Sequence, residues 1–251
     1  MKILFKKPKS LKENVTIYCP GCGHGIIHRI IAEVIDELGI RERTIATAPV
    51  GCAVLSYDYF NFDVTETAHG RGPAVATGIK RMLPDKIVFT YQGDGDLAAI
   101  GTAEIIHAAA RGENITVIFV NNAVYGMTKG QMAPTTLLGQ KTTTTCEGRT
   151  PQLHGYPIRV CELLSSIEGV SYLERVAIDS VPGIQKTKRA IKQSFIYQIE
   201  KKGFSLIEIL SPCPSNWKMK PSDSMKWIRE EMVKTFPLDV YKDKFKEQKK
   251  Q

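Results

Sequence analysis

The chain has 251 residues, 43% apolar and 24% charged, the make-up of a core-forming globular protein, which excludes a disordered or fibrous one. Its formal charge of +8 sits entirely in the ends: five lysines and no acid in residues 1–12, and five lysines against Asp243 and Glu247 in residues 242–251. The body is neutral and has no basic stripe interleaved with aromatics, so nucleic-acid binding is not expected; the ends read as solvated tails or as a handle for an acidic partner.

In chain order, the basic amino terminus MKILFKKPKSLK has no apolar stretch behind it, so a secretory signal is not expected. The longest clean apolar run, residues 115–120, is too short to span a bilayer, and the compartment reads as cytoplasmic. Next comes YCPGCGHG, residues 18–25, with Cys19 and Cys22 in a turn of Pro and Gly. Such a pair can hold zinc, shuttle disulfides or anchor an iron–sulfur cluster. HGIIHRIIAEVIDELG then spaces its isoleucines for a helix and stops at Gly39. TIATAPV (44–50) is a strand running into Gly51-Cys52, GPAVATGIKRMLP (72–84) a small-residue helix, and KIVFTYQ (86–92) a buried strand.

GDGD (93–96) is a tight loop, LAAIGTAEIIHAAARG (97–112) a helix, and ITVIFVNN (115–122) a second buried strand. Residues 131–159 are rich in Thr, Gly and Pro without period, a loop that covers a site or meets a partner. A short helix near 160–168, a strand at 171–177, a helix at 181–201 and a strand at 204–210 follow, then a proline-rich arm. The expected organisation is a basic tail (1–14), an α/β domain (15–210) and a C-terminal arm (211–251). Short apolar strands alternating with helices predict a doubly wound parallel sheet flanked by helices on both faces.

In such sheets ligands sit beyond the carboxyl ends of the strands. Two of these strands end in Gly93-Asp94-Gly95-Asp96 and in Asn121-Asn122, so a carboxylate and an amide can face one hard cation. Mg²⁺ takes oxygen ligands and fills its shell from phosphates and water. The glycines let the backbone approach a diphosphate, and the helix from Leu97 offers its N-terminal amides. There is no Walker loop and no GxGxxG dinucleotide fingerprint. GDG, 25 residues and then NN resembles the thiamine-diphosphate motif. That resemblance implies Mg²⁺ ligation by the side chains of Asp94 and Asn122 and by the carbonyl of Val124.

Taken with the CxxC, the chain resembles the beta subunit of the 2-oxoacid:ferredoxin oxidoreductases, of the 2-oxoglutarate or the branched-chain 2-ketoisovalerate type. The matching stretches are CPGCG (19–23), VGC (50–52), AHGRGPAVATGIK (68–80), GDGDLAAIG (93–101), NNAVYGMTKGQ (121–131) and SPCP (211–214). The resemblance implies a thiamine-diphosphate-binding fold and a [4Fe–4S] cluster on Cys19, Cys22, Cys52 and Cys213. It implies cofactor contacts from Val50, Gly51, Cys52 and Ala53, from His69, Gly70 and Arg71, from Gly93, Asp94, Gly95 and Asp96, and from Asn122, Val124, Tyr125, Gly126 and Met127. His69 is the candidate catalytic side chain, and Lys129 and Gln131 are candidates to reach substrate or to cover the cofactor. The activity implied is oxidative decarboxylation of a 2-oxoacid to acyl-coenzyme A and CO₂, with electrons passed to ferredoxin.

The residues themselves keep alternatives open. His24 and His28 extend the CxxC to a zinc-like set, although one residue between the ligand pairs is too few to fold around a tetrahedral ion. Cys146 and Cys161 read as free thiols. Only the diphosphate-binding unit is found, so an alpha subunit carrying the pyrimidine-binding domain is expected as an obligate partner, with gamma or delta chains for ferredoxin-type clusters. Rival readings are a non-oxidative thiamine decarboxylase or synthase subunit and a zinc-stabilised, non-catalytic assembly subunit. The identity of the 2-oxoacid stays open: the apolar stretch after Cys52 suits an aliphatic side chain, and Lys129 would suit 2-oxoglutarate.

Overall fold

The computed structural model describes residues 6–247; residues 1–5 and 248–251, which hold part of both lysine-rich ends, lie outside the described residues. In chain order the elements are α1 (His24–Leu38), β1 (Thr44–Pro49), β2 (Asp63–Thr67), α2 (Gly72–Met82), β3 (Ile87–Gly93), α3 (Thr102–Ala110), β4 (Thr116–Asn121), α4 (Pro151–His154), α5 (Val160–Ser165), β5 (Val170–Ala177), α6 (Val181–Ile199), β6 (Phe204–Leu210), α7 (Pro214–Trp217), α8 (Pro221–Trp227), α9 (Val233–Thr235), β7 (Val240–Asp243) and α10 (Lys244–Glu247). The strands form one sheet in the order β2-β1-β3-β4-β6-β5-β7. Every neighbouring pair is parallel except β5 and β7, which run antiparallel. The doubly wound parallel sheet expected from sequence is therefore present, with an antiparallel edge strand added. VYKD is short and half polar, so β7 gave no apolar run to find.

Burial on both faces explains why β3 and β4 read as unbroken apolar runs. Val88 packs with Leu97, Ile105 and Phe119, whereas its neighbour Phe89 packs on the opposite face with Ile31, Ile118 and Phe195. The Phe89 face is closed by α1 and α6, the Val88 face by α2, α3 and α5. Ile27, Ile31 and Ile35 of α1 are fully buried, each contributing about 2 kcal/mol by area. Gly39 ends α1 as its position predicted, with φ at 64° and its N–H donating to the Asp36 carbonyl.

The chain turns from β1 outward to β2, then returns to lay β3 on the other side of β1. Strand order reverses at that point, and the loops leaving β1 and β3 splay apart into a crevice. Those loops begin at Val50 and Asp94, so topology sets VGC and GDG face to face.

Three segments differ from the periodicity reading. The helix expected over 97–112 opens with a π turn, Asp96–Ile100, before α3. A Cβ at Gly101 would stand 2.7 Å from the Asp96 carbonyl and 2.9 Å from that of Gly70, so this glycine admits the 68–71 turn against the helix start. Residues 131–159 hold little regular structure beyond α4, yet they are folded down rather than loose. Thr135 and Thr136 are fully buried, and the Arg149 guanidinium donates to the carbonyls of Pro134 (2.9 Å), Thr136 (2.6 Å) and Tyr156 (2.7 Å). After β6 the arm packs Ile228, Met232 and Phe236 against Ala123 and Leu210, covering the back of the Asn121-Asn122 loop. No helix among the described residues is long and apolar enough to cross a membrane.

Candidate functional site

A cavity of about 590 Å³ lies at the carboxyl ends of β1, β3 and β4. The 50–53 loop and His69 form one side of its wall. The 93–96 loop and residues 122–127, Ala123 excepted, form the other. Gly70 and Arg71 stand beside the cavity rather than in its wall. Gly70 packs on Ile100 and Gly101, and Arg71 pairs with Glu104 of α3. Lys129 is exposed outside the wall with φ at 76°, whereas Gln131 lines it.

At the head of β3 the Asp94 carboxylate is 2% exposed. Its Oδ1 accepts the Gly95 N–H (2.9 Å) and its Oδ2 the Thr135 hydroxyl (2.7 Å). Burial outweighs these bonds and pushes Asp94 up to about 6. A carboxylate so placed gains from a cation, and Asn122 supplies a buried amide beside it whose Oδ1 accepts the Val124 N–H (3.2 Å). A Cβ at Gly93 would meet no protein atom within 4 Å, so the strand end keeps open space in the wall. Carboxylate, amide and open backbone are a donor set and a cradle that fit Mg²⁺ and a diphosphate. Thr135 carried no signal in a threonine-rich loop; only folding brings it to Asp94.

Asp96 ties the loop across to the 68–71 turn. It accepts the Gly70 N–H (2.5 Å) and bonds the Gln92 amide, and burial raises its pKa. His69 is set against it, with Nδ1 2.8 Å from the Val50 carbonyl and 3.1 Å from Asp96 Oδ1. Both neighbours accept, so Nδ1 carries the proton and Nε2 is the nitrogen left for a ligand.

The CPGCG turn is held against the C-terminal arm. Gly23 N–H donates to the Pro212 carbonyl (3.3 Å), and Gly21, at φ 77°, has no room for a Cβ beside Pro221 and Pro214. This brings Cys19 and Cys22 towards Cys213, while Cys52 follows β1 into the cavity wall. Burial first, and then the neighbouring thiols, pushes Cys22 up to about 11 and Cys52 up to about 12. Among the described residues no three His, Cys, Asp or Glu side chains stand close enough to bind one ion directly. Cys19, Cys22, Cys52 and Cys213 lie near enough to disfavour one another's thiolate forms, and four cysteines are the donor set that a four-iron cluster takes. Cys161 is buried under the sheet and Cys146 exposed.

The histidines behind the CxxC pack inward instead of joining it. His24 lines the cavity, stacks on Tyr18 at 4.9 Å and holds Nδ1 2.5 Å from the Tyr91 hydroxyl. His28 is caged by Tyr18, Tyr59, Phe60 and Tyr91, with neither ring nitrogen hydrogen-bonded. Burial takes His24 down to about 4 and His28 well below its usual range, so both are neutral. His24 is a cavity residue that helical periodicity disguised as packing.

Residues 49–209 match the family of thiamine pyrophosphate enzymes, C-terminal TPP binding domain. The chain is 47% identical to the ketoisovalerate oxidoreductase subunit VorA of Methanothermobacter marburgensis over 98% of its own length, and spans 54% of that relative. It is 40% identical to the 2-oxoglutarate synthase subunit KorB of Methanocaldococcus jannaschii, over 86% of this chain and 78% of the relative. Among solved structures it is similar to 2-oxoglutarate:ferredoxin oxidoreductase from Magnetococcus marinus, with a TM-score of 0.76 and 26% identity. That match covers 96% of this chain and 86% of the other.

Proposed function

The chain belongs to the thiamine pyrophosphate-binding subunits of the 2-oxoacid:ferredoxin oxidoreductases, and on that premise we propose that it oxidatively decarboxylates a 2-oxoacid to acyl-coenzyme A and CO₂ within an assembly, passing the electrons to ferredoxin. The observation that carries the reading is that Cys52 and Asp94 line one cavity from its two sides, which puts a thiol of the proposed cluster across from the proposed diphosphate site. When bound, thiamine diphosphate supplies the nucleophilic carbon and electron sink for decarboxylation, and a [4Fe–4S] cluster the one-electron acceptor.

This chain's residues do the holding. Asp94, Asn122 and the Val124 carbonyl take Mg²⁺, and Thr135 fixes the Asp94 carboxylate. Gly93 and Gly95 leave the backbone open to the diphosphate. His69, its Nδ1 held by Val50 and Asp96, presents Nε2 to reacting groups. Cys19, Cys22, Cys52 and Cys213 take the cluster. An alpha subunit supplies the pyrimidine-binding half, and the assembly works in the cytoplasm, where thiols stay reduced.

The mouth this chain builds is apolar at Val50, Ala53 and Met127. With VorA as a close relative, an aliphatic 2-oxoacid is the proposed substrate. A kcat/KM at least tenfold higher for 2-ketoisovalerate than for 2-oxoglutarate is expected, and the reverse preference overturns that choice. The whole reading is tested by assaying iron, sulfide, zinc and thiamine in assembly purified without oxygen. About four irons and four sulfides attributable to this chain, with thiamine, are expected. One zinc without iron would leave a non-oxidative thiamine subunit.

A further inference from the structure

The arm after Cys213 reaches the cofactor loop twice within one turn of chain. Asn216 Nδ2 donates to the Gly126 carbonyl (2.9 Å) and to Cys213 Sγ (3.2 Å). A carbonyl only accepts, so it is the amide nitrogen of Asn216 that faces Gly126, and its second hydrogen is free for the sulfur. The next residue, Trp217, donates its indole N–H to the Asn122 carbonyl (3.0 Å). Trp217 rests on Trp227 with ring centroids 4.4 Å apart, within the cluster that also buries Ala123, so the donor is held firmly.

Gly126 is the meeting point. A Cβ there would stand 3.2 Å from Cys52 Sγ, and Gly130 leaves room for Asn216, whose Cβ lies 3.0 Å from where a Gly130 side chain would begin. One half-buried amide thus bonds a thiol and a carbonyl of the thiamine loop at once, and neither bond is a helix or sheet bond.

We propose that Asn216 and Trp217 form a clasp that couples the two centres: Asn216 tunes the cluster through the Cys213 thiolate while fixing the Gly126 carbonyl, and Trp217 fixes the Asn122 carbonyl at the Mg²⁺ site. The inference rests on the cluster and thiamine assignments made above. An N–H donated to a cluster thiolate stabilises the more negative, reduced state and raises the reduction potential. Asn216 is a positioning residue in this scheme; it acts through Cys213 and Gly126.

The test uses the whole assembly, purified without oxygen, with the cluster followed by its electron spin resonance signal during a redox titration. The relevant signal is the one that disappears in Cys213→Ser. Asn216→Ala, and the equally sized Asn216→Asp that lacks the amide donor, are expected to keep the iron, move the midpoint to more negative potential and weaken Mg²⁺-dependent thiamine diphosphate binding several-fold. Trp217→Phe is expected to weaken thiamine diphosphate binding several-fold while leaving the midpoint where it was. An iron-loaded Asn216→Asp assembly with an unmoved midpoint overturns the clasp and leaves the cluster assignment standing. A wild-type assembly without iron on this chain overturns the cluster assignment and the clasp with it.

Discussion

On the proposed diphosphate side of the cavity, Asp94 and Asn122 leave neighbouring strands, and one side-chain oxygen of each accepts a hydrogen bond from a backbone N–H one or two residues on. On the thiol side, Cys19 and Cys22, Cys52 and Cys213 arrive from three separate stretches, and of these, among the described residues, Cys213 alone accepts a side-chain N–H. The first wall is organised locally, by strand ends and glycines. The second exists only because the arm returns to clamp the CPGCG turn between Pro214 and Pro221. A site made locally tolerates distant damage, and a site made by long-range closure does not.

Two substitutions break the comparison most sharply. Asp94→Ala is expected to abolish Mg²⁺-dependent thiamine diphosphate binding and all turnover while leaving the iron in place, as calorimetry and an iron assay on one sample would record. Cys213→Ser is expected to do the opposite, losing the iron and electron transfer to ferredoxin but retaining thiamine diphosphate. If either variant lost both groups, the two walls would be one cooperative unit and the contrast would fail.

A third change reaches the proposed diphosphate wall from underneath. Glu208 is fully buried; it bonds the Asn121 amide (2.8 Å) and Arg175 Nε (2.8 Å), and the same guanidinium pairs with Glu162. Glu208→Ala takes one of two carboxylates from the buried guanidinium, which keeps Glu162, and leaves the Asn121 amide without its acceptor; it is expected to cost about 1–3 kcal/mol in denaturant unfolding. Glu208→Gln, keeping the volume and one acceptor, is expected to cost less. Equal stability of the alanine variant and the wild type would remove this chain of ion pairs from any part in holding the loop.

The last perturbation is acid. His24 and His28 are neutral in the fold because burial opposes their charge, so their folded values lie below the usual 6.5. The unfolded chain takes up protons on these histidines first, so their contribution is complete above pH 6.5 and falls as pH drops towards 4, while Asp94, raised to about 6, works in the opposite direction. Each pH unit in that window costs about 1.4 kcal/mol per histidine. Unfolding of the wild-type and His28→Phe chains, both metal-free, at pH 7 and pH 5 measures it, and the variant is expected to lose about one histidine's share of the acid sensitivity; an unchanged pH dependence would show that the ring cage is not what the acid attacks.

Much of this was legible in the chain before folding. Unbroken apolar runs at β3 and β4, Gly39 after α1 and the GDG and NN pairs at strand ends are local signals, since side-chain period and backbone freedom depend on adjacent residues. β2 and β7 left no such signal, because edge strands bury one side at most, DVTET is largely polar and VYKD half polar. The same limit hid Thr135, His24, Asn216 and Trp217: each is an ordinary residue in its own stretch, and its role comes from a partner elsewhere in the chain, Asp94, Tyr91, Gly126 and Asn122 respectively. Sequence alone determined the type of sheet and which strand ends carry acid, amide and thiol. Only the tertiary structure decided which of them meet, because strand order is set by long-range packing, and the reversal between β1 and β3 is what turns two loops into one cavity.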